Sequence, residues 1–463
     1  MTIPIRFDDS LPAFAALVKK TWGEDSIARN LFLRDASGRL TFVLLSDSHS
    51  RDERIALAKQ AADELGAYVD KDGFAIATPD ELFDDRLRQA DGAIQFQIGH
   101  TLFNGVVSLV DRRMVGADWL RKPLPSSGGP ARFVFASVKG GVGRSTALCV
   151  LAAELASKGR RVLAIDMDLE APGLGNLLLP DDTLPEYGLL DYLVELEIGS
   201  PLDNEFFADI VGPSWLGGGR GRVDVIPAIG KQSLSNPANV LAKLARAYLA
   251  EDETNGEMLT FSDHMRTLVE RFADPGRYDV ILVDARAGLH ETTAAAVIGL
   301  GAEVFLFSLD QPQAFAGYKL LFANLGSLPI NTDDDWRYRL HVVHAKAPLD
   351  TKKRASFAER MESLRDKYLS HPATQPETEV DPSTFKGTFN VEWIDDAAGA
   401  LDILPETEMP TTLAIRDDDR FRSFDPTADR DILTTSAYSD AFGDLIRMAS
   451  EIVNTSVDDS GRG

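Results

Sequence analysis

The chain has a single cysteine, Cys149, in 463 residues. No intramolecular disulfide can form, and a reducing, cytoplasmic setting fits that usage. Cys149 lies inside the Ala/Leu-rich stretch ALCVLAAELA, which predicts a small buried core side chain rather than a reactive thiol. No apolar run is long enough to cross a bilayer. The opening MTIPIRFDDS has early acids and no apolar centre, so a secretory signal is not expected. Basic residues are scarce too: Lys and Arg total 48 against 72 Asp and Glu, a formal net charge of −24. A polyanion repels nucleic acid and anionic lipid unless its cations are segregated. The basic runs KKTW, RRM and RGR are short, and acids flank most of them. The acidic ending SVDDSGRG argues against a basic amphipathic membrane anchor.

What the chain does have is a glycine-rich turn between two apolar stretches. Residues 133–138, FVFASV, read as a buried strand. Lys139, Gly140, Gly141, Val142, Gly143 and Arg144 follow, and Ser145 and Thr146 open ALCVLAAELA, which reads as a buried helix. Strand, glycine loop and helix N-terminus in that order make a phosphate site. Small residues let backbone N–H groups close around phosphate oxygens, and the helix dipole adds a favourable field. The general pattern is G-x-x-x-x-G-K-[ST]; here an early lysine is added and the late lysine is an arginine. A guanidinium still binds phosphate oxygens, but it is larger and planar, and it follows a moving phosphoryl group less readily.

Two further strand patterns end in carboxylates. VLAIDMDLEAPGLG, residues 162–175, places Asp166 and Asp168 on one side of a continuing strand, or near the phosphates if the strand stops there. The plainer alternative is that they cap the next helix. YDVILVDARAGL, residues 278–289, runs through four apolar residues to Asp284. That carboxylate suits a magnesium-bound water, with Ser145 ligating the ion directly.

The early lysine makes the loop specific. KGGVGRST resembles the deviant P-loop of the ParA/MinD superfamily of dimerising ATPases, and its arginine, with DLEAPGL and DARAGL, resembles the KGGVGR branch. The resemblance spans roughly residues 131–345, the extent of one α/β domain. It implies ATP rather than GTP, Mg2+, slow hydrolysis, and an ATP-dependent homodimer in which Lys139 crosses to the partner's nucleotide. It assigns Asp168 to the attacking water and Asp166 to the magnesium shell, with the reverse order left open. The implied catalytic set is Lys139, Arg144, Asp166 and Asp168. The implied nucleotide set is Gly140, Gly141, Val142, Gly143, Arg144, Ser145, Thr146 and Arg286, and the metal set Ser145, Asp166 and Asp284. Arg286 has two readings: contact with the γ-phosphate or dimer partner, or an ion pair with a surface carboxylate. The resemblance further implies a protein partner and a place in bacterial conflict or phage-defence systems.

Two alternatives stand beside this switch. One is a nucleotide sensor without turnover, locked by Arg144. The other is a ParA-type DNA-partitioning motor, which the charge balance disfavours. A tyrosine-kinase relative would need a C-terminal tyrosine cluster, and only Tyr438 lies near the end. The base contact is unassigned: RYRLHVVHAKAP offers His344 and Ala345 where relatives place an asparagine. His341 and His344 are three apart, so in a strand they face opposite ways and cannot share a metal.

From residue 131, strands and helices alternate. This predicts an α/β P-loop NTPase fold with a mainly parallel sheet and helices on both faces. Strands are expected at 133–138, 161–165, 223–227, 279–283, 303–308 and 338–343. The domain is expected to cover 131–455, with a charged insertion at 346–400, a helical piece near 355–368, a closing helix at 432–453 and a disordered tail at 456–463. Residues 1–121 are expected to form an N-terminal α+β accessory domain, joined by the linker KPLPSSGGP at 122–130. Within it, helices are expected at 11–20 and 52–65, the latter burying Ile55, Ala58, Ala61, Ala62 and Leu65. Strands are expected at 30–34, 40–45, 73–77 and 93–98, and 110–120 as a docking segment with Trp119 buried. His49, in SDSHSRDER, offers a metal reading, but a helix-capping loop is preferred. SWLGGGRGR at 214–222 reads as a mobile loop, with Arg220 and Arg222 solvated rather than on phosphate.

Overall fold

A computed structural model describes residues 5–370 and 412–460, apart from 47–48, 71–72, 91, 114, 127, 200–201, 218–219, 249–250, 253–257 and 331–333. The described residues fall into two units that part between Leu109 and Val110.

The first unit runs α1 (Phe7–Trp22), α2 (Glu24–Arg29), β1 (Leu31–Arg34), β2 (Leu40–Val43), α3 (Arg51–Leu65), β3 (Ile76–Ala77), β4 (Ile94–Gly99) and β5 (Asn104–Asp111). Its sheet order is β3-β2-β1-β5-β4. Asp35 closes the β1–β2 turn by accepting the N–H groups of Ser37 (2.9 Å) and Arg39 (2.8 Å). The core holds Phe14, Phe32 and Phe42, with ring centroids 4.9–6.5 Å apart. Helix α3 starts with a reciprocal cap, Ser50 N–H to Glu53 and Glu53 N–H to the Ser50 hydroxyl. His49 stacks on Trp22 at 4.0 Å; the capping reading of this stretch therefore holds, though residues 47–48 lie outside those described. Two core positions differ from expectation. Ile55 is 57% exposed and Ala62 only partly buried, whereas Leu57 is buried beside Ala58, Ala61 and Leu65.

The second unit runs β6 (Ala131–Ser137), α4 (Arg144–Ser157), β7 (Arg161–Asp166), α5 (Leu174–Leu178), α6 (Leu189–Glu197), α7 (Asn204–Asp209), β8 (Gly212–Pro213), β9 (Arg222–Ile226), α8 (Lys231–Ser235) and α9 (Val240–Ala247). A small hairpin, β10 (Glu251–Asp252) and β11 (Met258–Leu259), precedes α10 (Phe261–Phe272). Then come β12 (Val280–Ala287), α11 (Glu291–Ile298), β13 (Glu303–Ser308), α12 (Pro312–Gly326), β14 (Leu340–Ala347), α13 (Thr351–Arg365), β15 (Leu413–Arg416) and α14 (Thr435–Ser460). Eight strands order as β15-β14-β13-β6-β12-β7-β9-β8, all parallel except the β8–β9 pair.

The pleat explains why this sheet is apolar throughout. Phe133 and Phe135 pack on one face with α4 and α14, while Val134 and Ala136 pack on the other with α10, α11 and α12. The six expected strands are all present, and the edge strands β8 and β15 are additional. Cys149 is fully buried on α4, and burial with the nearby Asp284 and Asp166 charges pushes its thiol well up, as fits an inert core residue. No helix among the described residues is long and apolar enough to cross a membrane.

The segment before β6 belongs to this second unit. Trp119 Nε1 donates to the carbonyl of Leu289 (3.2 Å), and Asp118 accepts the N–H of Ser262 (3.0 Å). Leu124 N–H, within the expected linker, donates to Ile298 O at 2.9 Å. The units thus part ahead of the expected boundary, because these side chains are buried against α10 and α11. Most of the expected insertion lies outside the described residues. Helix α14 extends past the expected closing helix, to Ser460.

Candidate nucleotide site

Strands β6, β7 and β12 are neighbours, and their carboxyl ends carry the three sequence-marked elements. Gly141 and Gly143 have φ of +73° and +92°, a region that side-chain-bearing residues rarely enter, so the turn into α4 requires glycine there. Val142 between them is buried and pins the loop to the core. The Ser137 hydroxyl donates to Lys139 O at 2.8 Å. The turn brings the N-terminus of α4 close after the carboxyl end of β6, the strand–loop–helix order of a phosphate cradle.

Asp166 and Asp284 are register partners on adjacent strands, both fully or almost fully buried. Ser145, in the first turn of α4, donates its hydroxyl to Asp284 Oδ2 at 2.5 Å. Asp284 Oδ1 is buried with no hydrogen-bond partner among the described residues. Burial pushes both carboxyls above their usual range. The Asp284 charge pushes Asp166 further up, and Arg144 and Ser145 partly offset the rise at Asp284. Two buried carboxylates, one oxygen unpartnered, and an adjacent hydroxyl are a donor set that fits a hard divalent cation. No three His, Cys, Asp or Glu side chains among the described residues gather to hold a metal alone. Such an ion would take its remaining ligands from water and phosphate, as magnesium does in nucleotide sites.

Asp166 has a second task. Its Oδ2 accepts the N–H groups of Gly173 (2.9 Å) and Leu174 (3.0 Å), and its Oδ1 that of Asp168 (3.1 Å). The capping role weighed for this pair is therefore real for Asp166, alongside its place opposite Asp284. Asp168 lies 3.5 Å from Arg144 Nη2. Arg144 is buried, and its Nη1 donates to the carbonyl of Ala285.

The other sequence-marked cations are also engaged. Lys139 Nζ donates to Gln311 (2.9 Å) and Gln313 (3.3 Å) at the start of α12. Arg286 makes a two-point pair with Glu170, at 2.7 and 2.6 Å. Of its two readings, the carboxylate pair is the one this conformation contains. Arg222 begins β9, at the end of the sheet away from the phosphate loop, and its Nη2 donates to Arg277 O at 3.2 Å. It does not meet the site. His341 pairs with Glu303 at 2.6 Å, and His344 stacks on Phe357 at 3.8 Å on the other face, so they share nothing.

Several residues of the site escaped the sequence reading. Lys346, at the end of β14 with φ +51°, donates Nζ to Gly141 O at 3.0 Å. It borders a cleft beside the phosphate loop lined by Val142, Thr146, Arg416, Asp418 and Phe421. This cleft adjoins the end of β14, which carries His344 and Ala345. The only sequence signal for it was the charged run after β15, DDDRFR, whose strand is too short to stand out. Glu170 lay in view within DLEAPGL, but its partner is far along the chain.

Residues 133–304 match the family model described as the CobQ/CobB/MinD/ParA nucleotide binding domain. No curated protein matches the chain. Among solved structures, the chain is similar to a plasmid partition protein from Borrelia burgdorferi, with 19% identity over 52% of this chain and 86% of that one, and a TM-score of 0.33. It is similar to the MinD cell division protein of Aquifex aeolicus, with 15% identity, 69% and 97% coverage, and a TM-score of 0.40. The septum site-determining protein MinD from Pyrococcus horikoshii, complexed with Mg-ADP, matches at 19% identity, 52% and 79% coverage, and a TM-score of 0.33.

Proposed function

We propose, for a chain whose residues 133–304 belong to the CobQ/CobB/MinD/ParA nucleotide-binding family, an ATP- and magnesium-dependent switch that hydrolyses ATP slowly. The observation that carries this reading is the Ser145 hydroxyl bonded to Asp284, whose other oxygen is buried and unpartnered opposite Asp166. A buried polar atom left without a partner costs stability, so its persistence points to use.

In this reading the N–H groups of Gly140 to Thr146 hold the phosphate oxygens. Ser145, Asp166 and Asp284 would hold the magnesium ion. When bound, that ion neutralises charge on the phosphate oxygens. Arg144 turns from the Ala285 carbonyl to the β- and γ-oxygens. Asp168, released from Arg144, orients the attacking water. The base lies in the cleft bordered by Lys346, Thr146 and Phe421. Lys139 leaves Gln311 and Gln313 to reach the nucleotide of a second copy, making a face-to-face homodimer. The closed dimer signals to a protein partner, and the KGGVGR resemblance favours a bacterial conflict or phage-defence setting. The acidic balance disfavours nucleic acid as that partner.

A second reading, a sensor without turnover, is favoured by one observation: Arg144 is buried with two internal acceptors that hydrolysis would require it to leave. Phosphate release with magnesium separates the two. The switch reading expects wild-type turnover above background and a fall of about 100-fold in Asp168→Ala. Background rates in both proteins, with ATP binding intact, select the sensor.

A further inference from the structure

We propose that Glu170 determines specificity for a triphosphate over a diphosphate, its carboxylate occupying Arg286 until a γ-phosphate displaces it. The inference rests on the nucleotide reading above and adds to it a residue for which no role was assigned.

The geometry is specific. Arg286 Nη1 and Nη2 meet Glu170 Oε1 and Oε2 at 2.7 and 2.6 Å, the fork arrangement in which a guanidinium also grips phosphate. Arg286 stands two residues after Asp284 on β12, and the carbonyl between them, of Ala285, is taken by Arg144. Arg144 is thus bonded to, and Arg286 is part of, the strand end that carries the candidate metal carboxylate. Both face acids of one loop, Asp168 for Arg144 and Glu170 for Arg286, in the stretch joining β7 to α5.

As a fold stabiliser the Glu170–Arg286 pair contributes little. Its side chains are 39% and 25% exposed, and a pair so open to water is screened and stabilises the fold little. As an exchangeable contact it has the right strength. A γ-phosphate carries more charge than a carboxylate and offers the same two-point acceptor, so it outcompetes Glu170 where a diphosphate supplies no group to do so. Release of Glu170 also frees the loop on the side opposite its other anchor, where Asp166 holds the N–H groups of Gly173 and Leu174. The contacts that remain on Glu170 are weak: the Tyr248 hydroxyl stands 3.5 Å from Oε1.

The test is titration calorimetry on the full chain with AMPPNP–Mg and ADP–Mg, for wild type, Glu170→Gln, Arg286→Ala and the double variant. Glu170→Gln is expected to tighten AMPPNP by about 3- to 10-fold and to leave ADP within about twofold. In the Arg286→Ala background the same substitution is expected to change neither. An equal effect on both nucleotides, no effect on either, or an AMPPNP effect that survives Arg286→Ala overturns the proposal and leaves the nucleotide reading standing. Failure of wild type to bind either nucleotide overturns both.

Discussion

The two units place their carboxylates under opposite conditions. In the first, Asp35, Glu53 and Glu81 lie at the surface, each occupied by local hydrogen bonds. Asp35 takes the Ser37 and Arg39 N–H groups, Glu53 the Ser50 hydroxyl and N–H, and Glu81 the Thr78 N–H and Arg54. Burial alone would raise Asp35 and Glu81, but these bonds carry both below the usual carboxylate range; at Glu53 the Ser50 bonds dominate outright. In the second unit, Asp166 and Asp284 are buried side by side at strand ends, and burial drives both the other way, with the Asp284 charge adding to the rise at Asp166 and the Asp168 charge to that at Asp284. Asp166 still finds three backbone N–H groups, whereas one oxygen of Asp284 is buried without a partner among the described residues, which marks that carboxylate as the candidate for a cation.

The sharpest way to break this contrast is to remove the unpartnered oxygen. Asp284→Ala should cost about 100-fold in ATP affinity with magnesium present and little without it, so that affinities in magnesium and in EDTA converge. If the variant keeps the full magnesium dependence, the ion is held elsewhere.

A subtler test uses stability instead of binding. A carboxyl raised in the fold binds its proton more readily there than in the unfolded chain, so the destabilisation by Asp284 grows as pH rises from its ordinary value of 3.8 up to about 6 and is constant above that. Asp284→Asn, without nucleotide, should therefore stabilise the chain at pH 8 by roughly 2 kcal/mol, a rise of about 5 °C in Tm. Asp35→Asn, at a satisfied turn, should instead destabilise it by about 1 kcal/mol. The same sign for both in thermal melts would remove the distinction between the two kinds of acid.

A third contrast concerns a buried base. His344 is lowered from its ordinary 6.5 to about 4, by burial and then by Arg354 and Arg360, with Asp310 partly opposing. The unfolded chain binds that proton first. The contribution of His344 is therefore complete above pH 6.5, declines as pH falls toward 4, and levels off below. His344→Phe, which keeps a ring against Phe357, should lose about 2 kcal/mol of this decline in denaturant titrations at pH 5 compared with pH 7. A variant with the wild-type slope would assign the acid sensitivity to other groups.

Much of this was readable in the chain because the signals are contiguous. Strand β6, its glycines, and the small residues of α4 follow one another, and six buried strands announce themselves as apolar runs. Strands β8 and β15 have two and four residues, too short to show a pattern. The buried face of α3 is centred on Leu57, Ala58, Ala61 and Leu65, which leaves Ile55, apolar as it is, on the exposed side. The domain boundary was placed at the Pro/Gly-rich stretch because composition marks flexibility, whereas Trp119 and Asp118 show that a Pro/Gly-rich neighbourhood can be packed down by its side chains. The Glu170–Arg286 and Lys346–Gly141 contacts join distant segments, and only the sheet order brings them together.

The most direct measurement is calorimetric titration of the full chain with ATP, once in excess magnesium and once in EDTA. The account predicts saturable heat at one nucleotide per chain in magnesium and an affinity weaker by about 100-fold in EDTA. No heat in either buffer would contradict it, since the strand ends would then hold no triphosphate for the buried carboxylates to serve.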